Sequence, residues 1–428
     1  MPLLVFPSKK NTTPNKGHGG GSNIEIPSSS KQVERLGSLF DDLNNDFLRY
    51  KASLSSTHAG LAPEMVLVLE IAGSIEDFKN AIDKTDGLDW LAEWDLEDSE
   101  PDDNFFSLNE NGEKSKVSNR LFVSMANEQG MHELLTLWSS WKNGHSLPRG
   151  KTKWRDVFSQ LRTIRRWGIQ DVFVESGVLD YWLENLSADD NGSETFQVEF
   201  FYSEHEGKRR ESVNYLKEIL QRVGGELVSH VSHIPEIHFH AVKANAPTSV
   251  IRGWLDIIER GENEIEKILF HTVMYVRPAA QSMVAAEDGG EVFAGNVDRA
   301  EDAPVAALID GYPLSNHQLL SGSLDICDIF DVESAYQSGE RTHGTAMASL
   351  ILHGDLSANP RQTLTRKLLC IPVMQPNPNS SDREEHVPES EFLEDRIHVA
   401  VRKMFEPSQG ETEALYPNIR VINLSIGE

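Results

Sequence analysis

The chain has 428 residues, too many for one ordinary core, and a length of roughly two to four domains. Its 40 Lys and Arg stand against 67 Asp and Glu, a formal net charge of -27 that repels phosphate backbones and anionic headgroups, so neither nucleic acid nor a membrane is an expected partner. Two cysteines, Cys327 and Cys370, build no disulfide framework, no run approaches about 18 apolar residues, and the apolar residues 1–6 are too short for a secretory signal, which together point to a cytoplasmic protein.

Residues 1–30 are rich in Gly, Ser, Pro, Asn and Lys and have almost nothing to bury, which predicts a disordered arm. From residue 31 to residue 60 the pattern is that of an amphipathic helix. Val33, Leu36, Phe40, Leu43 and Phe47 recur at steps of three and four, over too few heptads for a coiled coil, so the stripe is expected to dock on the following domain.

Residues 61–190 read as an α+β module. Strands are expected at 65–71, 88–94, 120–125 and 171–174, with an acidic loop at 95–103. Helices are expected from Ser74, a credible N-cap followed by Glu76 and Asp77, and over 131–141 and 154–167. In the last of these Arg162, Arg165 and Arg166 alternate with Leu161, Ile164 and Trp167, as the solvated face of a helix would.

Residues 196–278 form a more distinct unit. Strands at 196–202, 226–231, 237–242 and 267–276 enclose helices at 210–223 and 248–259, the first closed by Gly224-Gly225. This βαββαβ order predicts a ferredoxin-like sandwich. Within it His230, His233, His238 and His240 crowd near Glu236. His238 and His240 on one face of a strand have the makings of a metal site, but the alternation is better explained as a half-buried strand's polar face. Residues 279–303 lose all periodicity and are read as a linker.

Residues 304–428 alternate strands and helices, the signature of a parallel α/β sheet. An apolar strand ends in Asp310-Gly311, and His343-Gly344 opens a helix of small and apolar residues. Functional groups collect at the carboxyl ends of such strands. Further strands and a helix are expected at 366–374, 418–427 and 395–405. The last is a buried-strand pattern, with no helix following it in the sequence, so the domain is expected to be incomplete at its C-terminus. His317 and His353 are read as surface or helix-end residues.

Ile309-Asp310-Gly311, His343-Gly344-Thr345-Ala346 and Asn423-Leu424-Ser425-Ile426-Gly427, in this order, resemble the motifs of the subtilase (subtilisin-like) family of serine peptidases. In that family a strand ends in Asp-Ser/Thr-Gly, a helix opens with His-Gly-Thr-His, and an Asn-Met/Leu-Ser-Leu-Gly strand precedes the serine. Here no hydroxyl residue stands between Asp310 and Gly311, and Ala346 takes the place of the second histidine. The resemblance covers the final third of the chain. It implies a subtilisin-like parallel-sheet domain in which His343 is the general base and Asp310 its orienting partner. Ser425, Ile426 and Gly427 would bind an extended protein or peptide substrate by strand pairing.

The resemblance also implies a prodomain role for the ferredoxin-like module, whose tail near residues 276–278 would enter the cleft, with processing within 279–303. No Gly-Thr-Ser-x-Ala segment occurs, so the chain alone is expected to be inactive, and a non-catalytic binding protein on the same scaffold stays open as the alternative. The chemistry requires no cofactor. Family members often bind calcium, but no loop here has the ligand spacing that would place it. A partner protein docking on the N-terminal modules is a further expectation.

Overall fold

The computed structural model describes residues 24–57, 64–73, 75, 78–109, 111–174, 176–186, 192–260, 272–279, 302–337, 339–354, 364–378, 383–407 and 410–426. They divide into two compact units, an N-terminal unit of Val5–Ser176 with Asp256–Met274, and a C-terminal unit chiefly of Gly177–Leu255 and Tyr275–Glu428. Most of the expected arm and most of the expected linker lie outside the described residues.

The N-terminal unit begins with β1 (Ile24–Glu25) and α1 (Ser29–Thr57). The end of the expected arm is therefore structured, because Ile24 and Glu25 pair with a later strand. β2 (Glu64–Ala72), α2 (Phe78–Asp83), β3 (Leu88–Ser99), β4 (Phe106–Leu108), β5 (Lys114–Ser115), β6 (Val117–Asn127), α3 (Glu128–Lys142), α4 (Trp154–Gln160) and β7 (Leu161–Arg166) complete it. Its main sheet is antiparallel, in the order β3-β6-β2-β7. The apolar stripe of α1 (Leu36, Phe40, Leu43 and Phe47) joins α3, α4 and one face of β2 in a single core. That burial, rather than helix propensity, is what holds the helix in place.

Three expectations are corrected here. The 154–167 helix stops at Gln160, and Leu161–Arg166 is strand β7. Leu161 pairs with Ile71 and Thr163 with Glu70, so the strand carries an irregularity at Arg162. Such a bulge turns a strand's period of two into a step of three, and the buried Leu161 and Ile164 then imitate a helical face. Residues 171–174, expected as a strand, belong to a π-helical turn, Gln170–Val174. β3 continues to Ser99 through part of the expected acidic loop. The proposed N-cap Ser74, with Glu76 and Asp77, lies outside the described residues.

The C-terminal unit opens with α5 (Val178–Asn185), whose residues fall within the stretch expected to belong to the preceding module. Its Trp182 is buried with ring centroids 5.7 Å from Phe196 and 6.2 Å from Trp254. Next come β8 (Ser193–Phe200), α6 (Glu206–Val223), β9 (Glu226–Leu227), β10 (Ser232–Ile234), β11 (Phe239–Pro247), α7 (Thr248–Glu259) and β12 (Val273–Pro278). The sheet order is β10-β11-β8-β12, with β9 also on β11. α6 ends where Gly224 takes a left-handed φ of 82° and Gly225 N–H reaches Leu220 O at 2.8 Å. The second strand is split in two, and the third begins at Phe239 because Pro235–Ile237 form a 3-10 turn.

The remainder is a four-stranded parallel sheet with helices on both faces. It comprises β13 (Asp302–Asp310), β14 (Leu324–Ile326), α8 (Thr342–His353), β15 (Arg366–Pro372), β16 (Gln375–Pro376), β17 (Glu385–His386), α9 (Leu393–Phe405) and β18 (Val421–Leu424). The sheet order is β14-β15-β13-β18, and β16 and β17 form a separate antiparallel pair. β13 is buried on both sides. Ala307 and Ile309 face α9, while Leu308 faces α8, the continuous apolar run of a covered parallel strand. β18 departs from its expected pattern, since Val421, Ile422 and Leu424 are exposed and no described element covers them.

The βαββαβ module rests on the start of α9. Ile234, Phe239 and Ala241 surround the fully buried Phe392. Asp395 accepts hydrogen bonds from Ser232 Oγ at 2.6 Å and His230 Nε2 at 2.8 Å, and Gln197 Nε2 donates to Glu394 at 3.1 Å. Both acidic residues lie in the first turn of α9, where the helix dipole favours negative charge.

Candidate active site

Asp310 ends β13, and His343 is the second residue of α8. Two backbone features bring them together. Gly344 packs so closely on the loop after β13 that an added Cβ would stand 2.4 Å from Gly311 O and 2.9 Å from Gly311 C. Only glycine permits that approach. One residue on, Thr345 Oγ1 accepts the Leu314 N–H at 2.8 Å and ties the same loop to the helix.

The result is a hydrogen bond of 2.8 Å between His343 Nδ1 and Asp310 Oδ1. Asp310 is buried, while the His343 side chain is 22% exposed. Burial raises the Asp310 pKa, and the hydrogen bond and charge of His343 oppose that rise. The hydrogen bond His343 donates to Asp310 raises the His343 pKa, against burial, with the charges of Asp310 and Glu385 adding to the rise. With Nδ1 held by the carboxylate, Nε2 is the nitrogen left to exchange a proton with a substrate or nucleophile.

Two residues that no sequence motif revealed complete the cluster. Glu385, opening β17, is buried, and burial pushes its carboxyl up to about 7. The Tyr336 hydroxyl lies against Glu385 Oε1 and 3.0 Å from Met374 O. Its own pKa is raised by burial and by Glu385. The trace that could have pointed here is the bare Asp310-Gly311 step, where a carboxyl from elsewhere in the chain fills the side-chain space.

Asp310, His343 and Glu385 each offer one ligand atom within 4.8 Å of the others. However, two ligands of one tetrahedral ion stand roughly 3.3 Å apart, and the 2.8 Å between His343 and Asp310 is a hydrogen bond. An imidazole with two carboxyls is also poor in the oxygen ligands calcium takes.

Of the expected substrate-binding residues, Ser425 N–H reaches Ile309 O at 3.4 Å, beside the end of β13, and Ile426 packs partly into the core under the sheet. Gly427 lies outside the described residues. His353 is the last residue of α8, as expected of a helix-end residue, but it is buried rather than on the surface and donates to Leu319 O at 2.8 Å.

The histidine group near Glu236 does not form the expected strand face. His238 caps the 3-10 turn at φ 53°, so of the two expected on one strand face only His240 lies in β11, opposite His233 of β10; it is buried, with its pKa lowered to about 4 by burial. Tyr202 stacks on His233 and His238 at 5.6 and 4.9 Å.

No model of a known protein family matches the chain, and no curated protein matches it. Among the described residues, no helix is long and apolar enough to cross a membrane.

Proposed function

We propose that the chain carries the Asp–His pair of a cytoplasmic serine endopeptidase of the subtilase type, together with a module that restrains it. The observation that carries this reading is the 2.8 Å His343 Nδ1–Asp310 Oδ1 hydrogen bond, made between a strand-end carboxylate and a helix-opening imidazole on a parallel sheet. In such a site the carboxylate holds the ring's tautomer and stabilises its positive charge. Nε2 then takes the proton of a serine hydroxyl as it attacks the peptide carbonyl, and returns it to the leaving amine.

The preceding module supports a prodomain role. Its strand order is that of a ferredoxin-like sandwich, and its sheet sits on α9. Its last strand ends near a polar cleft lined by Ala279, Thr195, Asn377 and Glu385. Ser425 and Ile426 continue an edge strand and would pair with an extended peptide. Calcium is not assigned a place.

The test begins with the coding sequence past Glu428, read for a Gly-Thr-Ser-x-Ala run. The expressed product is then incubated with an unfolded protein substrate and a fluorophosphonate probe. Hydrolysis and labelling are expected, and His343→Ala should lower hydrolysis by at least about a thousandfold. A product that carries no such serine, or one that cuts equally well with His343→Ala, would identify a non-catalytic scaffold or a different site.

A further inference from the structure

Glu385 occupies space that a side chain at position 311 would need. A Cβ built on Gly311 would have Oε1, Cδ and Oε2 of Glu385 as its nearest heavy atoms, at 1.9, 2.5 and 2.8 Å. Gly311 is not among the residues with positive φ, so its backbone makes no demand for glycine. The neighbouring carboxyl does. Asp310 Oδ2 is buried and has no hydrogen-bond partner. An oxygen of Glu385 lies within 4.8 Å of the ligand atoms of Asp310 and His343. The Tyr336 hydroxyl donates to Glu385 Oε1.

We propose that Glu385 is a positioning residue of the Asp310–His343 pair. As a neutral acid it donates its proton to the unpartnered Oδ2 of Asp310 and accepts the Tyr336 hydroxyl on its other oxygen. It thereby takes the place of the hydroxyl side chain that subtilases carry directly after their aspartate. The inference rests on the reading of the pair as catalytic.

The chemistry favours the neutral form. Two ionised carboxyls buried side by side repel, so one keeps its proton. The groups facing Glu385 are Asp310 on β13, His343 on α8, Tyr336 after the Glu333–Ala335 turn, and Glu340 ahead of α8. Burial and the charges of Asp310 and Glu340 favour its protonation, against Tyr336 and His343. Once ionised, Glu385 would add negative charge beside His343 and raise the proton affinity of the imidazole. The two groups therefore titrate as a coupled pair.

The test is nuclear magnetic resonance of the whole chain labelled with ¹⁵N at histidine, with the His343 signal identified by its loss in His343→Gln. In the native chain the His343 titration should be broad and two-stepped across neutrality. Glu385→Gln, isosteric and uncharged, should give a single step with its midpoint lowered by about one unit. Glu385→Ala and Gly311→Ser should each weaken the downfield Nδ1–H signal of the His343–Asp310 hydrogen bond, the first by removing the donor and the second by collision with Glu385. The double variant Gly311→Ser/Glu385→Ala should restore it, since the crowding atoms are gone and a hydroxyl is supplied.

A Glu385→Gln titration identical to the native one overturns the proposal, as does a double variant no better than the worse single one. None of these signals requires hydrolysis. Failure of the peptidase reading therefore leaves them unchanged, and their failure leaves the peptidase assay unchanged.

Discussion

At the scale of residues, the cluster of Asp310, His343 and Glu385 makes stability depend on pH in one direction. All three pKa values are raised in the folded chain, so the folded state binds more protons than the unfolded state. Such groups stabilise fully below their unfolded pKa and lose that contribution as pH rises through the folded value. For Glu385 the window runs from 4.5 to about 7, a loss of about 3 kcal/mol at 1.36 kcal/mol per unit. Urea unfolding across that window should show stability falling with pH, and Glu385→Gln should flatten the fall. An undiminished slope in the variant would show that Glu385 titrates normally. The sequence displayed Asp310, His343 and Gly344, because a strand end and a helix start are local patterns. It hid Glu385 and Tyr336, since what selects them is a gap beside Gly311 that exists only once the folded chain brings Glu385 there.

At the scale of elements, the apolar periodicities of α1, α6 and β13 were legible because each has one period and one burial pattern along its length. The misreadings fell where geometry departs from a single period, as at the bulge in β7 and the 3-10 turn before β11. The position of α5 was hidden for another reason: its partners Phe196 and Trp254 are distant in sequence. The start of α9 is the element on which a structural substitution should tell most. Phe392 is fully buried among Ile234, Phe239 and Ala241. Phe392→Ala should cost about 3–5 kcal/mol, read as a lowered urea midpoint, with faster amide exchange in β10 and β11 than in β13. Equal loss of protection in all three strands would mean that the residue supports the whole unit instead.

At the scale of the molecule, the alternation of strands and helices after residue 304 announced a parallel sheet, and the structure has one of four strands. What the sequence could not show is that the βαββαβ module and this sheet belong to one compact unit. Their joint core is built from residues on both sides of the 280–301 segment. A break in the backbone within that segment would therefore cut the chain without parting the pieces. With a specific cleavage site inserted there, the two fragments should co-elute on gel filtration in native buffer. The same cut in Phe392→Ala should yield fragments that separate. The polypeptide would then behave as two molecules bound by affinity, and the lifetime of the nicked state would follow the dissociation rate of one aromatic anchor and its ring of polar contacts.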